Sequence, residues 1–338
     1  MPAMTPKVIK KDALNTTITG WMKSYDVIAP VASKEGIHFR KISDAKAFTL
    51  PGSRKPIFPP KSIFLPQSEV LFEFTDDGYS MPEEPKRKQL ILGMRPCDAR
   101  AVWLLDTVFN QAEDLDLYWG RKREKALVVS FGCASLCSSG FCDTVGSGPY
   151  GKEGSDVLVT ELDEVYYLQP LTEAGEKLTA KLDNAESGQN KMAKEIQKGS
   201  VVKEHTQADL HAINEKLYAA FDTPIWKKIS ESCLGCGVCT YLCPTCFCFD
   251  IVDEVDRSER VRNWDTCMFR IYSQEASGHN PRPSKAERTR QRIMHKFAYW
   301  IDNEKASGCT GCGRCVEMCP VNLDIREMVQ MITGLPIQ

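Results

Sequence analysis

Cys233-Leu-Gly-Cys236-Gly-Val-Cys239-Thr-Tyr-Leu-Cys243-Pro244 decides how this chain is read, because its cysteine spacing returns in Cys309-Thr-Gly-Cys312-Gly-Arg-Cys315-Val-Glu-Met-Cys319-Pro320. Three cysteines at two-residue gaps let one tight loop offer three thiolates to a single [4Fe–4S] cubane. The fourth lies one helical turn further on and points elsewhere; in chains with two such clusters it ligates the other one. The repeat therefore implies two [4Fe–4S] clusters with exchanged fourth ligands. Cluster A takes Cys233, Cys236, Cys239 and Cys319, and cluster B takes Cys309, Cys312, Cys315 and Cys243. Gly235, Gly237, Gly311 and Gly313 flank the middle cysteines, where positive φ lets backbone amides approach sulfur. Zinc knuckles are the competing reading, but they are assembled from cysteine pairs, and each loop here supplies three plus one.

A long insertion, residues 250–306, separates the two motifs and is expected to be helical. Within it Ser284-x-x-Glu287 is a capping box that opens a long helix, with Ile293, Phe297 and Trp300 as its apolar stripe. Arg288, Arg290, Arg292, His295 and Lys296 make that helix basic. Two readings follow: a solvated face, or a docking surface for an acidic redox partner. Cys246 and Cys248 alternate as on one face of a strand and, with Cys267, read as core packing near the clusters.

Upstream the periodicity changes. Gln89–Gly93 and Ala126–Phe131 are short apolar runs, and between them Ala101, Leu104, Leu105 and Val108 recur with helical spacing. Strand, helix and strand at this distance form a βαβ unit with parallel strands. Val157–Leu162 and Val165–Leu171 follow as a hairpin. Residues 172–205 read as a charged, exposed helical connector, and His211–Phe221 as an amphipathic helix. The expected fold class is α+β. Residues 1–200 form an α/β domain with a partly parallel sheet, and residues 201–338 a mainly helical, ferredoxin-like dicluster domain.

Cys97 follows the first strand of the βαβ unit and Cys133 the second, with Cys137 and Cys142 in the same loop. Adjacent parallel strands place them at the carboxyl edge of the sheet, where open α/β sheets hold ligands. They either hold a third [4Fe–4S] cluster or pack together as small hydrophobes. Gly146-Ser-Gly148-Pro-Tyr-Gly151 matches a dinucleotide fingerprint in letters only. Pro149 interrupts it and a strand comes next, so no helix N-terminus meets a pyrophosphate.

With 338 residues and 42% hydrophobic content the chain can build two cores. A formal charge of −2, from 43 basic and 45 acidic residues, predicts neither a nucleic-acid partner nor an anionic membrane surface. No apolar run is long enough to span a bilayer. Fifteen cysteines, none before Cys97, form an odd set, and no apolar core of a signal peptide precedes them. The expected setting is the cytoplasm, with thiols kept reduced as metal ligands.

Several stretches are more specific than cysteine spacing. Gly93-Met-Arg-Pro-Cys97-Asp-Ala-Arg100 with Leu104-Leu-Asp106, Cys243-Pro-Thr-Cys246-Phe-Cys248-Phe-Asp250, Trp264-Asp-Thr-Cys267 and Gly278-His-Asn-Pro-Arg282 span most of the chain. In these the chain resembles the iron–sulfur (beta-type) subunits of cytosolic sulfhydrogenases and the A subunit of anaerobic sulfite reductase. The resemblance implies a redox subunit rather than a self-sufficient catalyst. Its partners would be a flavin- and [2Fe–2S]-containing NAD(P)H oxidoreductase subunit and a catalytic hydrogenase or reductase subunit. A catalytic sulfur- or sulfite-reducing subunit and a heterodisulfide-reductase-type subunit are the alternatives. The terminal acceptor is open at this stage.

Overall fold

The computed structural model describes residues 4–50, 55–83, 86–113, 115–135, 137–200 and 207–337. Along the described chain the strands are β1 (Lys7–Lys10), β2 (Asp26–Ser33), β3 (Gly36–Lys41), β4 (Ser68–Thr75), β5 (Gly78–Ser80) and β6 (Gln89–Met94). After them come β7 (Ala126–Phe131), β8 (Val157–Glu161), β9 (Val165–Pro170), β10 (Asp183–Asn184), β11 (Phe249–Glu254) and β12 (Glu259–Trp264). The chain folds into two compact units. One is built from Met1–Pro60, Pro85–Asp143 and Ser147–His205, the other from Lys61–Glu84, Thr144–Gly146 and Thr206–Gln338.

The first unit is organised on a sheet of order β10-β1-β9-β8-β7-β6-β2-β3. Its centre is parallel (β2 with β6, β6 with β7, β7 with β8) and its flanks are antiparallel. The partly parallel sheet is as the sequence implies. β6 and β7 are buried along nearly their whole length, which is why both read as unbroken apolar runs rather than alternating ones. Leu90, Leu92, Val129, Val157 and Leu168 meet in one core. Each such side chain contributes about 1.5–3 kcal/mol by leaving water.

Between β6 and β7 runs the Pro96–Phe109 helix, with Pro96 in its first turn and Ala101, Leu104 and Leu105 buried. Asp106 of that helix accepts from Trp119 Nε1 at 2.8 Å and pairs with Arg123 at 2.9 Å, pinning the Leu117–Lys125 helix beside it. The Leu104-Leu105-Asp106 signature is thus a packing device. Gly146–Gly151 leads on to β8, a strand, as expected.

The second unit contains an antiparallel sheet of order β11-β12-β4-β5. Two expectations change here. A single break near residue 200 does not describe the chain, because β4 pairs with β12 and Arg262 is locked to Glu69 at 2.5 Å, both partners buried. The insertion 250–306 is not helical throughout either. It opens with the β11–β12 hairpin and becomes helical only at Lys285–Met294.

The helix from Lys285 starts on Ser284, with the reciprocal Ser284–Glu287 capping box formed as the sequence implies. It widens into a π turn over His295–Tyr299 and resumes at Trp300–Glu304. Among the described residues no helix is long and apolar enough to cross a membrane.

Candidate metal centres

The two cysteine loops share one local geometry. Gly235, Gly237, Gly311 and Gly313 all have positive φ (69°, 76°, 63° and 74°), a region that a side chain at those positions would strain. Gly235 N–H donates to Cys233 Sγ at 3.4 Å, and Gly311 N–H donates to Cys309 Sγ at the same distance. Gly237 and Gly313 then start the one-turn helices Val238–Tyr241 and Arg314–Glu317. Each fourth cysteine follows such a turn, and it also receives a hydrogen bond or lies within reach of one. Leu323 N–H donates to Cys319 Sγ at 3.2 Å, and the Thr245 hydroxyl lies 3.3 Å from Cys243 Sγ.

Cysteines of both loops share their surroundings. One cavity is lined by Cys233, Cys236 and Cys239 of the first loop together with Cys315 and Cys319 of the second. Cys243 acts electrostatically on Cys309 and Cys315, and on Cys239 of its own loop as well. Burial pushes the Cys315 thiol up to about 12 and raises Cys239 and Cys309 as well. Such thiols stay protonated until a metal takes the place of the proton. Among the described residues no three His, Cys, Asp or Glu side chains close on a single ion.

Three of the basic residues of this helix depart from both sequence readings. Arg288, Arg292 and Lys296 are 8%, 8% and 2% exposed, whereas Arg290 and His295 are half-buried. Lys296 Nζ donates to the Thr245 hydroxyl at 2.8 Å and the Thr245 carbonyl at 3.2 Å. Lys61, also buried, donates to the Cys246 carbonyl at 2.8 Å and lies 4.2 Å over the Trp264 ring. Arg292 lines the cavity, and its Nε has no hydrogen-bond partner. None of Lys61, Arg292 and Lys296 is paired with a described carboxylate.

Burial opposes the charge on Lys296, yet Cys243, Cys246 and Cys309 outweigh it and hold the ammonium above its usual range. Cys239 and Cys315 do the same for Arg292. Lys61, where burial wins, falls to about 8. Uncompensated buried cations are costly. Around eight cysteines they mark a place built for an anionic group, and a cubane with four thiolates is one. The residues fit two [4Fe–4S] clusters. Helical periodicity could not reveal this, because Arg288, Arg292 and Lys296 fall between apolar positions of the helix and read as an ordinary charged face.

Cys246 and Cys267 are buried, as core packing implies, but Cys246 and Cys248 do not share a strand face. No strand covers 246–248; β11 begins at Phe249, and the two cysteines turn to different partners. Cys246 is buried and hydrogen-bonds Cys243, which holds the Cys243 thiol well below its usual range while Cys246 is pushed far up. Cys248 and Cys267 act on each other, and the Tyr272 hydroxyl lowers the Cys248 thiol in the same sense as Cys267 does. Thr266, beside Cys267, accepts from Thr240 at 2.6 Å, joining the Trp264–Cys267 signature to the first cysteine loop. Asn280 holds the Gly278–Arg282 signature by donating to the Arg270 carbonyl at 2.7 Å and accepting from Arg282 N–H at 2.9 Å.

In the first unit, parallel pairing of β6 with β7 brings Met94 opposite Ser130, so Cys97 and Cys133 each follow the carboxyl end of neighbouring strands. Arg95 ties the two loops by donating to the Gly132 carbonyl at 3.0 Å. Cys133, Cys137 and Cys142 interact with one another. Burial pushes Cys133 up to about 11 and Cys142 to about 12; Arg95 and Lys55 act in the opposite sense on Cys133, and Asp98 in the same sense as burial. Cys97 is buried at the start of the Pro96–Phe109 helix.

Comparison with known proteins agrees with this geometry. Residues 232–323 match the model of a 4Fe–4S dicluster domain. The chain is 27% identical over 319 residues to sulfhydrogenase 2 subunit beta of Pyrococcus furiosus, covering 91% of this chain and 93% of that protein. It is also 28% identical over 127 residues to pyruvate-flavodoxin oxidoreductase of Trichormus variabilis, a match to 37% of this chain but only 9% of that protein. No solved structure matches. The chain is therefore an iron–sulfur protein with a 4Fe–4S dicluster domain at residues 232–323, and a homologue of sulfhydrogenase 2 subunit beta.

Proposed function

We propose that this chain is the electron-relay subunit of a cytoplasmic oxidoreductase complex. It takes single electrons from a flavin- and [2Fe–2S]-containing NAD(P)H oxidoreductase subunit and passes them to a catalytic hydrogenase or reductase subunit, or carries them in reverse. Cys233, Cys236, Cys239 and Cys319 hold cluster A; Cys309, Cys312, Cys315 and Cys243 hold cluster B. The bound clusters supply one-electron chemistry at potentials set by charge, hydrogen bonds and exposure. The residues of the chain set those three quantities.

The observation that supports the reading is that Cys319 lines the cavity of the first loop while Cys243 acts on Cys309 and Cys315. A crossed assignment would tie the two sites into one body. Cys236 is exposed and Leu234 beside it is 65% exposed, so site A has an edge open to a partner. Cys133, Cys137, Cys142 and Cys97 at the sheet edge would hold a third [4Fe–4S] cluster, with Arg95 and Lys55 offsetting part of its charge.

Cys243→Ser tests the assignment. Iron should fall by about four atoms per chain, one cubane. The EPR spectrum that remains should equal that of Cys312→Ser and differ from that of Cys236→Ser. Equality with Cys236→Ser would overturn the crossed assignment. Sulfite turnover by the isolated chain with a chemical reductant would replace the relay with a catalytic role.

A further inference from the structure

Three cysteines of the second unit are left over from the eight in the loops, and two of them face each other. Cys248 precedes β11 and Cys267 follows β12, so the hairpin brings together residues 19 positions apart in sequence. The ladder extends just far enough to set them: Asp265 N–H donates to the Cys248 carbonyl at 2.9 Å. Thr266 fixes the turn that follows, its hydroxyl accepting from Met268 N–H at 3.0 Å. The Cys267 thiol, the Cys267 amide and the Tyr272 hydroxyl all act on the Cys248 sulfur in the sense that favours its thiolate. Their exposures differ. Cys248 is half-buried, whereas Cys267 is buried.

We propose that Cys248 and Cys267 are a redox-active dithiol that exchanges with small-molecule disulfides, Cys248 attacking and Cys267 resolving. The division of labour follows from the environment. Three donors converge on the more accessible sulfur and favour its thiolate, the nucleophilic form. Hydrogen bonding by Cys267 and Tyr272 lowers the Cys248 thiol to about 6, close to the value at which an attacking thiol is both ionised and still nucleophilic. Cys267, donating that hydrogen bond from a buried position, keeps its proton.

The chemistry balances in two exchanges. The Cys248 thiolate attacks one sulfur of a disulfide RS–SR, forming Cys248–S–SR and releasing RS⁻. The Cys267 sulfur, losing its proton to the leaving thiolate, then attacks Cys248 and forms Cys248–S–S–Cys267 with release of RSH. Restoring the dithiol takes two electrons and two protons. In that return step the inference rests on the proposed pair of clusters, each a one-electron donor. The sulfurs are well placed for it: Cys267 acts electrostatically on the cluster A cysteine Cys239, and Cys246 joins Cys248 in sequence to the cluster B cysteine Cys243.

The test uses the full chain purified without oxygen, treated with oxidised glutathione, alkylated under denaturing conditions and read by peptide mass spectrometry. Wild type should yield a Cys248–Cys267 cross-linked peptide with two fewer alkylated cysteines. Cys267→Ser should instead accumulate glutathione on Cys248, and Cys248→Ser should give neither product. Iron content should be unchanged in both variants. Absence of the cross-link in wild type, absence of a Cys248 adduct in Cys267→Ser, or loss of iron from either variant would overturn the proposal. The dicluster reading fails separately, on fewer than about eight irons in untreated wild type, and the cross-link is read without reference to that count.

Discussion

The two cysteine-rich regions differ less in their number of thiols than in the charges set around them. In the second unit Lys61, Arg292 and Lys296 are buried among the cysteine loops with no carboxylate partner among the described residues. At the sheet edge of the first unit, Arg95 and Lys55 act on Cys133 alongside the opposing Asp98. Buried cations without counterions destabilise an empty fold and become favourable once an anion arrives. The dicluster region is thus committed to a negative guest in its charge pattern as well as in its sulfurs. The sheet edge, with charges of both signs, is nearer neutrality before anything binds.

That contrast can be broken most directly at the sheet edge. With a third cluster there, Cys142→Ser should remove about four of about twelve irons per chain. Wild type and variant both holding about eight would assign these cysteines to packing. Next in size is Gly154→Ala, which strikes the first unit alone. Gly154 has φ +75°, and a Cβ there would stand 2.0 Å from the Ala99 carbonyl oxygen, two residues beyond Cys97. Backbone strain plus a clash with rigid backbone should cost about 3 kcal/mol or more, seen as a lower Tm. Iron bound in the second unit should be retained.

Lys296→Met sharpens the other side. A unit charge several ångströms away through an effective dielectric near 20 is worth ~2–3 kcal/mol. At 59 mV per tenfold change for one electron, the cluster nearest Cys243 should fall in potential by on the order of 100 mV. Potentiometric EPR would check it, and a signal from the sheet edge should not move. The smallest effect belongs to Thr245→Val. Its hydroxyl donates to the Gly308 carbonyl at 2.6 Å and accepts from Lys296 at 2.8 Å, so losing it should cost about 1–3 kcal/mol of stability by denaturant titration.

Much of this was legible in advance where the code is local. Cysteine spacing with its glycines is a short-range signal, and the Ser284–Glu287 box spans only one turn, so both could be read directly. β6, the Pro96–Phe109 helix and β7 were legible because each has a clear period or an unbroken apolar run. The burial of Arg292 and Lys296 was not. A charged residue signals water unless its surroundings are known, and here those are cysteines from loops more than ten residues away. Nor could β4 be assigned to the second unit, since nothing in Ser68–Thr75 names a partner beyond residue 250. The facing of Cys248 and Cys267 likewise depends on the β11–β12 register, which is fixed by pairing and not by either cysteine's neighbours.

The pairing of β4 with β12 also imposes a schedule on synthesis. Glu69 and Arg262 are 193 positions apart, so β4 and Lys61 leave the ribosome long before β12 exists. Contacts this distant in sequence form late. For most of translation β4 offers an unpaired edge, and its glutamates Glu69 and Glu73 are the kind of charge that discourages wrong partners. Lys61 meets the Trp264 ring only after the hairpin has emerged. Metal loading is thereby tied to a nearly finished chain, and a truncated product that stops before Glu259 would have the first cysteine loop without the sheet beside it.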